Sequence, residues 1–141
     1  VANEIRENGN GAGLASYSVP LIMFGWIGIS LSCGIYIAGA NFPEPATQAA
    51  AAFLAATGIL NIAGILQSLG FLFIFLAMAS RDDYSSTFAK VAALVALVAF
   101  VVNCVGVLNP DSAQTISQIV GVTYLIHTIY AIYIGRLLLN R

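Results

Sequence analysis

Residues 46–79 decide the fold, and they read ATQAAAAFLAATGILNIAGILQSLGFLFIFLAMA. This long run contains no charged side chain. About 20 apolar residues in helical form are enough to cross the roughly 30 Å hydrocarbon core of a bilayer. As a straight helix the run would be about 51 Å long, so we expect it to tilt, to bend at one of its glycines or to protrude with its alanine-rich start.

Three further apolar runs lie on either side of this stretch. Residues 18–40 precede it and end before two closely spaced prolines, which disfavour helical backbone in the residues before them. Residues 84–108 follow it after a polar turn. Asn109-Pro110-Asp111 then has the pattern of a helix start, so the last helix covers residues 110–139. The sequence predicts an all-α, polytopic protein: an up-down bundle of four transmembrane helices over residues 18–141, preceded by a polar tail at 1–17 that is flexible or ordered by a partner.

The composition agrees with a membrane protein and excludes one class of partner. Sixty per cent of the residues are hydrophobic and 8% are charged, whereas about a quarter are charged in a soluble domain. The net charge is −1, so no basic face exists that could neutralise nucleic-acid phosphates. We therefore predict partners within the membrane, both lipids and other integral membrane subunits, and no nucleic acid.

The positions of the lysine and arginine residues predict the orientation of the chain in the membrane. With four crossings, all five fall on one side of the membrane: Arg6, Arg81, Lys90, Arg136 and Arg141. By the positive-inside rule both termini then face the cytoplasm or an equivalent compartment such as the stroma. We expect a bacterial inner, thylakoid or organellar inner membrane.

The third helix carries small or polar residues spaced alternately by four and three positions. They are Ser85, Ala89, Ala92, Ala96, Ala99, Asn103 and Gly106. Such a row permits close helix contact, on which association in lipid depends. We expect it to pack within this chain's own bundle, with contact to another chain as the alternative.

The middle of the predicted helices lacks ionisable groups apart from one histidine. Acids and bases in mid-membrane are typical of ion-coupled transporters, so their absence argues against a transporter of this kind. The sequence also has no set of residues suited to hydrolysis or metal catalysis. We therefore predict that the protein is not an enzyme. Cys33 and Cys104 are expected to be free thiols, and Asn61, Gln67 and Asn103 to join helices by hydrogen bonds.

His127 is the candidate cofactor ligand. A neutral imidazole can bind haem iron or chlorophyll magnesium through one nitrogen while a hydrogen bond holds the other, and Thr123 lies one turn away. The alternative is a histidine that packs between helices. The candidate cofactors are chlorophyll, haem and, without a ligand, carotenoid.

These features predict a non-catalytic structural or accessory subunit of a larger integral membrane complex, of the energy-converting kind, photosynthetic or respiratory. It would pack against partner subunits, lipids and pigment. The alternative is a small oligomeric channel or uncoupled carrier. Its path would be lined by Asn61, Gln67, Asn103, Thr123 and His127.

Overall fold

Four helices make up the fold. The computed structural model describes residues 5, 9–41, 46–109 and 113–139. They form α1 (Ala12–Ala40), α2 (Ala46–Ala79), α3 (Ser86–Leu108) and α4 (Ala113–Leu139). The helices pack up and down, each against the next in the chain, and all four are long and apolar enough to cross a membrane. The prediction of an all-α bundle of four apolar helices is confirmed.

The first helix begins earlier than the sequence predicted. Residues 12–17, which we expected in a flexible polar tail, form the first turns of α1. Their apolar side chains pack against the end of α2, where Ala15 is fully buried, and this burial offsets the entropy of ordering the chain. Gly11 precedes the helix at φ 86°, a conformation that favours glycine. Most of the remaining tail, and the predicted start of the last helix at residues 110–112, lie outside the described residues.

The contacts between helices fix their antiparallel order. Near the C-terminal end of α1, the Ser32 hydroxyl donates to the Ala56 carbonyl in the first half of α2 at 2.8 Å. Just before the N-terminal end of α1, Gly11 lies against Ala77 at the C-terminal end of α2. The two helices are therefore antiparallel. At the end of the molecule where Gly11 meets Ala77, the rings of Phe88 and Tyr133 lie 5.3 Å apart and join the start of α3 to the end of α4. The described cations Arg81, Lys90 and Arg136 belong to this end.

Small residues at every seventh position bring α1 and α2 together. They are Gly11, just before α1, with Ser18, Gly25, Ser32 and Gly39 on α1, and Ala49, Ala56, Ala63, Gly70 and Ala77 on α2. All ten are buried or half-buried. A seven-residue repeat keeps one face of each helix against its partner, as in a left-handed coiled coil. This repeat was not predicted from the sequence.

The predicted row of small residues on α3 is confirmed as a packing surface of the bundle. Ala89, Ala92, Ala96, Ala99, Asn103 and Gly106 are all buried within the chain. Asn103 lies so close to Gly64 of α2 that a Cβ atom there would be 2.6 Å from its Oδ1 atom. Gly64 therefore allows α2 and α3 to approach each other closely.

The α1–α2 pair extends beyond the end of α3 on the side without cations. From the Gly64–Asn103 contact, 18 residues of α2 lead back to its start, whereas five residues of α3 lead on to its end. The difference of 13 residues corresponds to about 20 Å of helix. We call the extending part, residues 32–40 of α1 and 46–58 of α2, the distal hairpin.

Candidate functional site

Polar side chains of α2, α3 and α4 gather inside the bundle. The Tyr124 hydroxyl donates to Gln67 Oε1 at 2.6 Å, which joins α4 to α2. Asn103 Nδ2 donates to Ala99 O at 2.8 Å within α3 and lies 3.4 Å from Ser68 Oγ on α2. The expectation that Gln67 and Asn103 join helices is confirmed.

His127 lies deep in this cluster. Its ring centroid is 5.0 Å from that of Phe71 and 5.3 Å from that of Phe75, and 6% of the residue is exposed. The imidazole approaches the backbone of Ala92 without a hydrogen bond of good geometry, and neither nitrogen has a partner in the described part of the chain. His127 is therefore enclosed mainly by aromatic and small side chains.

Thr123 does not hold the imidazole. Its hydroxyl donates to the Val120 carbonyl at 2.7 Å, one turn back along α4. The hydrogen bond that the sequence suggested between Thr123 and His127 is thus absent, because a helical threonine finds a nearer acceptor in its own backbone. Thr123 and His127 share the buried face of α4.

The surroundings of His127 restrict what could bind there. A haem or chlorophyll ring needs an open face beside the imidazole nitrogen. Here the Phe71 and Phe75 rings and helix α3 surround the histidine, so a tetrapyrrole would have to displace one of them. The packed geometry fits a histidine between helices better than an axial ligand.

The residues predicted to line a channel lie in closely packed parts of the bundle. Asn103 fills the space beside Gly64, and Gln67 is completely buried between α1 and α4. Asn61 is half-buried and shares the α3-facing side of α2 with Gly64. These contacts give little support to an open path between α2 and α3.

Several buried polar atoms of this cluster have no hydrogen-bond partner among the described residues. They are Gln67 Nε2, both nitrogens of His127 and the Tyr130 hydroxyl oxygen. Neither Tyr124 nor Tyr130 was predicted from the sequence as a site residue. Tyr124 and Tyr130 lie three residues before and after His127, so the three side chains share one face of a helix. This spacing could have been used to predict them from the sequence.

A second feature is an open apolar groove on α1, on the face turned away from α2. Its lining residues are Trp26, Ile27, Ser30, Leu31, Gly34, Ile35 and Ala38. Its volume is about 580 Å³. Cys33 lies exposed near the groove and Cys104 is half-buried on α3, and both are free thiols, as predicted.

Comparison with protein-family models, curated proteins and solved structures gives no match.

Proposed function

We propose that this protein is a non-catalytic structural subunit of a larger integral membrane complex, of the energy-converting kind, photosynthetic or respiratory. The observation that carries the proposal is the distal hairpin. Large apolar side chains are exposed there, including Ile37 (66%) and Leu54 (76%). Its residues, at 32–40 and 46–58, include no charged side chain.

The length of the helices indicates that lipid does not cover all of this surface. The 23 residues of α3 form about 35 Å of helix, which matches one bilayer core, whereas α2 is about 51 Å long. Even at a steep tilt of about 40°, α2 would span about 39 Å, still more than the core of roughly 30 Å.

The connection between α3 and α4 limits any shift of the bundle. Its sequence carries Asp111, and a charge within hydrocarbon is costly. We therefore propose that the end of α3 lies at the membrane boundary on that side and that the distal hairpin extends largely beyond it. A water-facing surface carries many charges, whereas segments 32–40 and 46–58 carry none and Glu44 is the one charged residue in the sequence between them. A protein partner is therefore the cover that fits this apolar surface.

The interior polar groups support a structural role. Gln67, Tyr124 and Asn103 make hydrogen bonds between or within helices, and His127 is enclosed by packed rings. Within the described residues no cluster of possible metal ligands occurs. The hydrogen bonds of Gln67, Tyr124 and Asn103 thus support a structural role for these side chains.

The cations support an orientation for the proposed subunit. Arg81, Lys90 and Arg136 belong to one end of the bundle, and the described residues of the opposite end carry no lysine or arginine. By the positive-inside rule, we propose that the first end faces the cytoplasm or stroma in a bacterial inner, thylakoid or organellar inner membrane. The distal hairpin would then project on the opposite side.

Affinity purification tests the proposal. The tagged chain is extracted from its native membrane in a mild detergent, and its partners are identified by mass spectrometry while an absorption spectrum is recorded across the elution peak. We expect several other membrane subunits in a constant ratio to this chain. Pigment or haem absorbance in the same peak would support an energy-converting complex. A colourless peak that holds this chain alone would contradict the proposal.

A further inference from the structure

The contact between α2 and α4 is built differently from the other contacts of α2. Small residues bring α2 close to α1 and to α3, as at Gly25 and Gly64. Among the described residues, no Cα atom of α4 lies within 8 Å of a Cα atom of α2. Large side chains bridge the wider space, for example the rings of Phe75 and His127, whose centroids lie 5.3 Å apart. Because such side chains can change rotamer, this contact can open without a change in the helices themselves.

The buried side of α4 carries a polar side chain in each helical turn. Tyr133, Tyr130, His127 and Tyr124 follow one another at intervals of three residues. The nine residues from Tyr133 to Tyr124 correspond to about 14 Å of helix, close to half of the bilayer core. Tyr133 lies beside Phe88 at the end of the bundle with the cations. The polar side chains therefore extend from that end towards the middle of the bundle.

Two of these side chains are buried against α2 without hydrogen bonds. His127 and Tyr130 both contact the Phe75 ring, and 6% of each residue is exposed. Neither imidazole nitrogen and not the Tyr130 hydroxyl oxygen has a hydrogen-bond partner among the described residues. An unpaired polar atom destabilises the closed packing, and it would gain hydrogen bonds as soon as water reached it. Both side chains thus favour a state in which this contact is open.

We propose that α4 moves away from α2 to admit water from the end with the cations, and that this water binds to His127 and Tyr130. Near its start α4 packs tightly on α3, where a Cβ atom at Gly106 would lie 3.1 Å from Ile116 Cδ1. Towards its end the contact with α3 is made by the large rings of Phe88 and Tyr133. The movement is therefore a tilt of α4 about its start. It breaks the hydrogen bond from Tyr124 to Gln67, which holds α4 against α2 in the closed state.

Hydrogen exchange at His127 in a lipid bilayer tests the proposal. His127 is the only histidine of the chain, so its imidazole gives signals of its own in a nitrogen-labelled sample. The full chain is reconstituted in vesicles of phosphatidylcholine and phosphatidylglycerol and transferred to deuterated water, and the loss of N–H signals is followed by solid-state NMR. We expect the imidazole N–H to exchange while the backbone N–H of Ala63, buried between α1 and α2, keeps its proton. No exchange at His127, or exchange at both positions with one rate, would overturn the proposal.

Three matched tyrosine-to-phenylalanine variants test how the contact opens. Tyr130→Phe removes an unpaired hydroxyl group and so favours the closed state, and exchange at His127 should slow by about fivefold or more. Tyr124→Phe removes the hydrogen bond to Gln67, so exchange should become about two- to twelvefold faster. Tyr17→Phe is the control, because Tyr17 is 69% exposed on α1, and it should leave the rate unchanged.

The direction of each change decides the outcome. Rates that are equal in the Tyr130→Phe and Tyr17→Phe chains would overturn the role of the unpaired hydroxyl group. Slower or unchanged exchange in the Tyr124→Phe chain would overturn the tilt of α4. These measurements use this chain alone in lipid, so their failure would leave the proposal of a complex subunit standing.

Discussion

Replacement of Gly25 by alanine should push α1 and α2 slightly apart and lower the free energy of unfolding. A Cβ atom at this position would lie 2.6 Å from Gln67 Cβ and 3.0 Å from the Ala63 carbonyl oxygen. Two carbon atoms in contact prefer a distance of about 3.5–4.0 Å, so the helices would have to move apart by about 1 Å. Overpacking of this kind costs about 1–3 kcal/mol, which exceeds the gain of up to about 1 kcal/mol in helix propensity.

The assay is reversible unfolding in mixed micelles, with the free energy of unfolding obtained from a titration with a denaturing detergent. Gly121→Ala is the control, since its added methyl group meets no atom within 4 Å. We expect a loss of about 1–2 kcal/mol for Gly25→Ala and no loss for Gly121→Ala. Equal effects for the two variants would refute close packing at Gly25.

Three further substitutions test the hydrogen bonds and the histidine by the same titration. Tyr124→Phe removes the 2.6 Å bond to Gln67 and should cost about 0.5–1.5 kcal/mol, and a neutral result would contradict this link. Ser32→Ala removes the bond to Ala56 O and should cost about 0.5–1 kcal/mol, whereas an unchanged free energy would show that the bond adds nothing. His127→Leu should leave the free energy equal or higher, because it removes two unpaired buried nitrogens at similar volume. A clear loss there would indicate that the native protein supplies the imidazole with a partner.

The architecture could be predicted from sequence because membrane crossing depends on length and hydrophobicity. Residues 46–79 were predicted as one helix, and the structure has the same bounds for α2. The α3 packing face was also readable, since alternating spacings of three and four leave small residues on one side of a helix. The start of α1 was missed because the residues before Ser18 gain their helical stability from contact with the end of α2, which local sequence does not contain.

The candidate site was predicted only in part. The sequence indicated that Gln67, Asn103 and His127 lie in helices and need partners, but not which partners they find. Tyr124 reaches Gln67 across 57 positions of sequence, and that pairing depends on how α2 and α4 are placed by α3. The length of residues 46–79 predicted that α2 would tilt, bend or protrude with its alanine-rich start. How far the α1–α2 pair extends past α3 could not be predicted, because it depends on the register set by the Gly64–Asn103 contact.

The central claim is that protein covers the distal hairpin, and spin-label accessibility in native membranes measures this directly. A nitroxide at position 37, introduced as Ile37→Cys in a chain without other cysteines, is compared with one at Leu125→Cys on α4. Both residues are well exposed in the isolated chain, at 66% and 62%. We predict that the label at 37 collides rarely both with oxygen, which concentrates in lipid, and with a water-soluble nickel chelate, whereas the label at 125 collides often with oxygen. Frequent collision of the label at 37 with either reagent would place it in lipid or water and contradict the account.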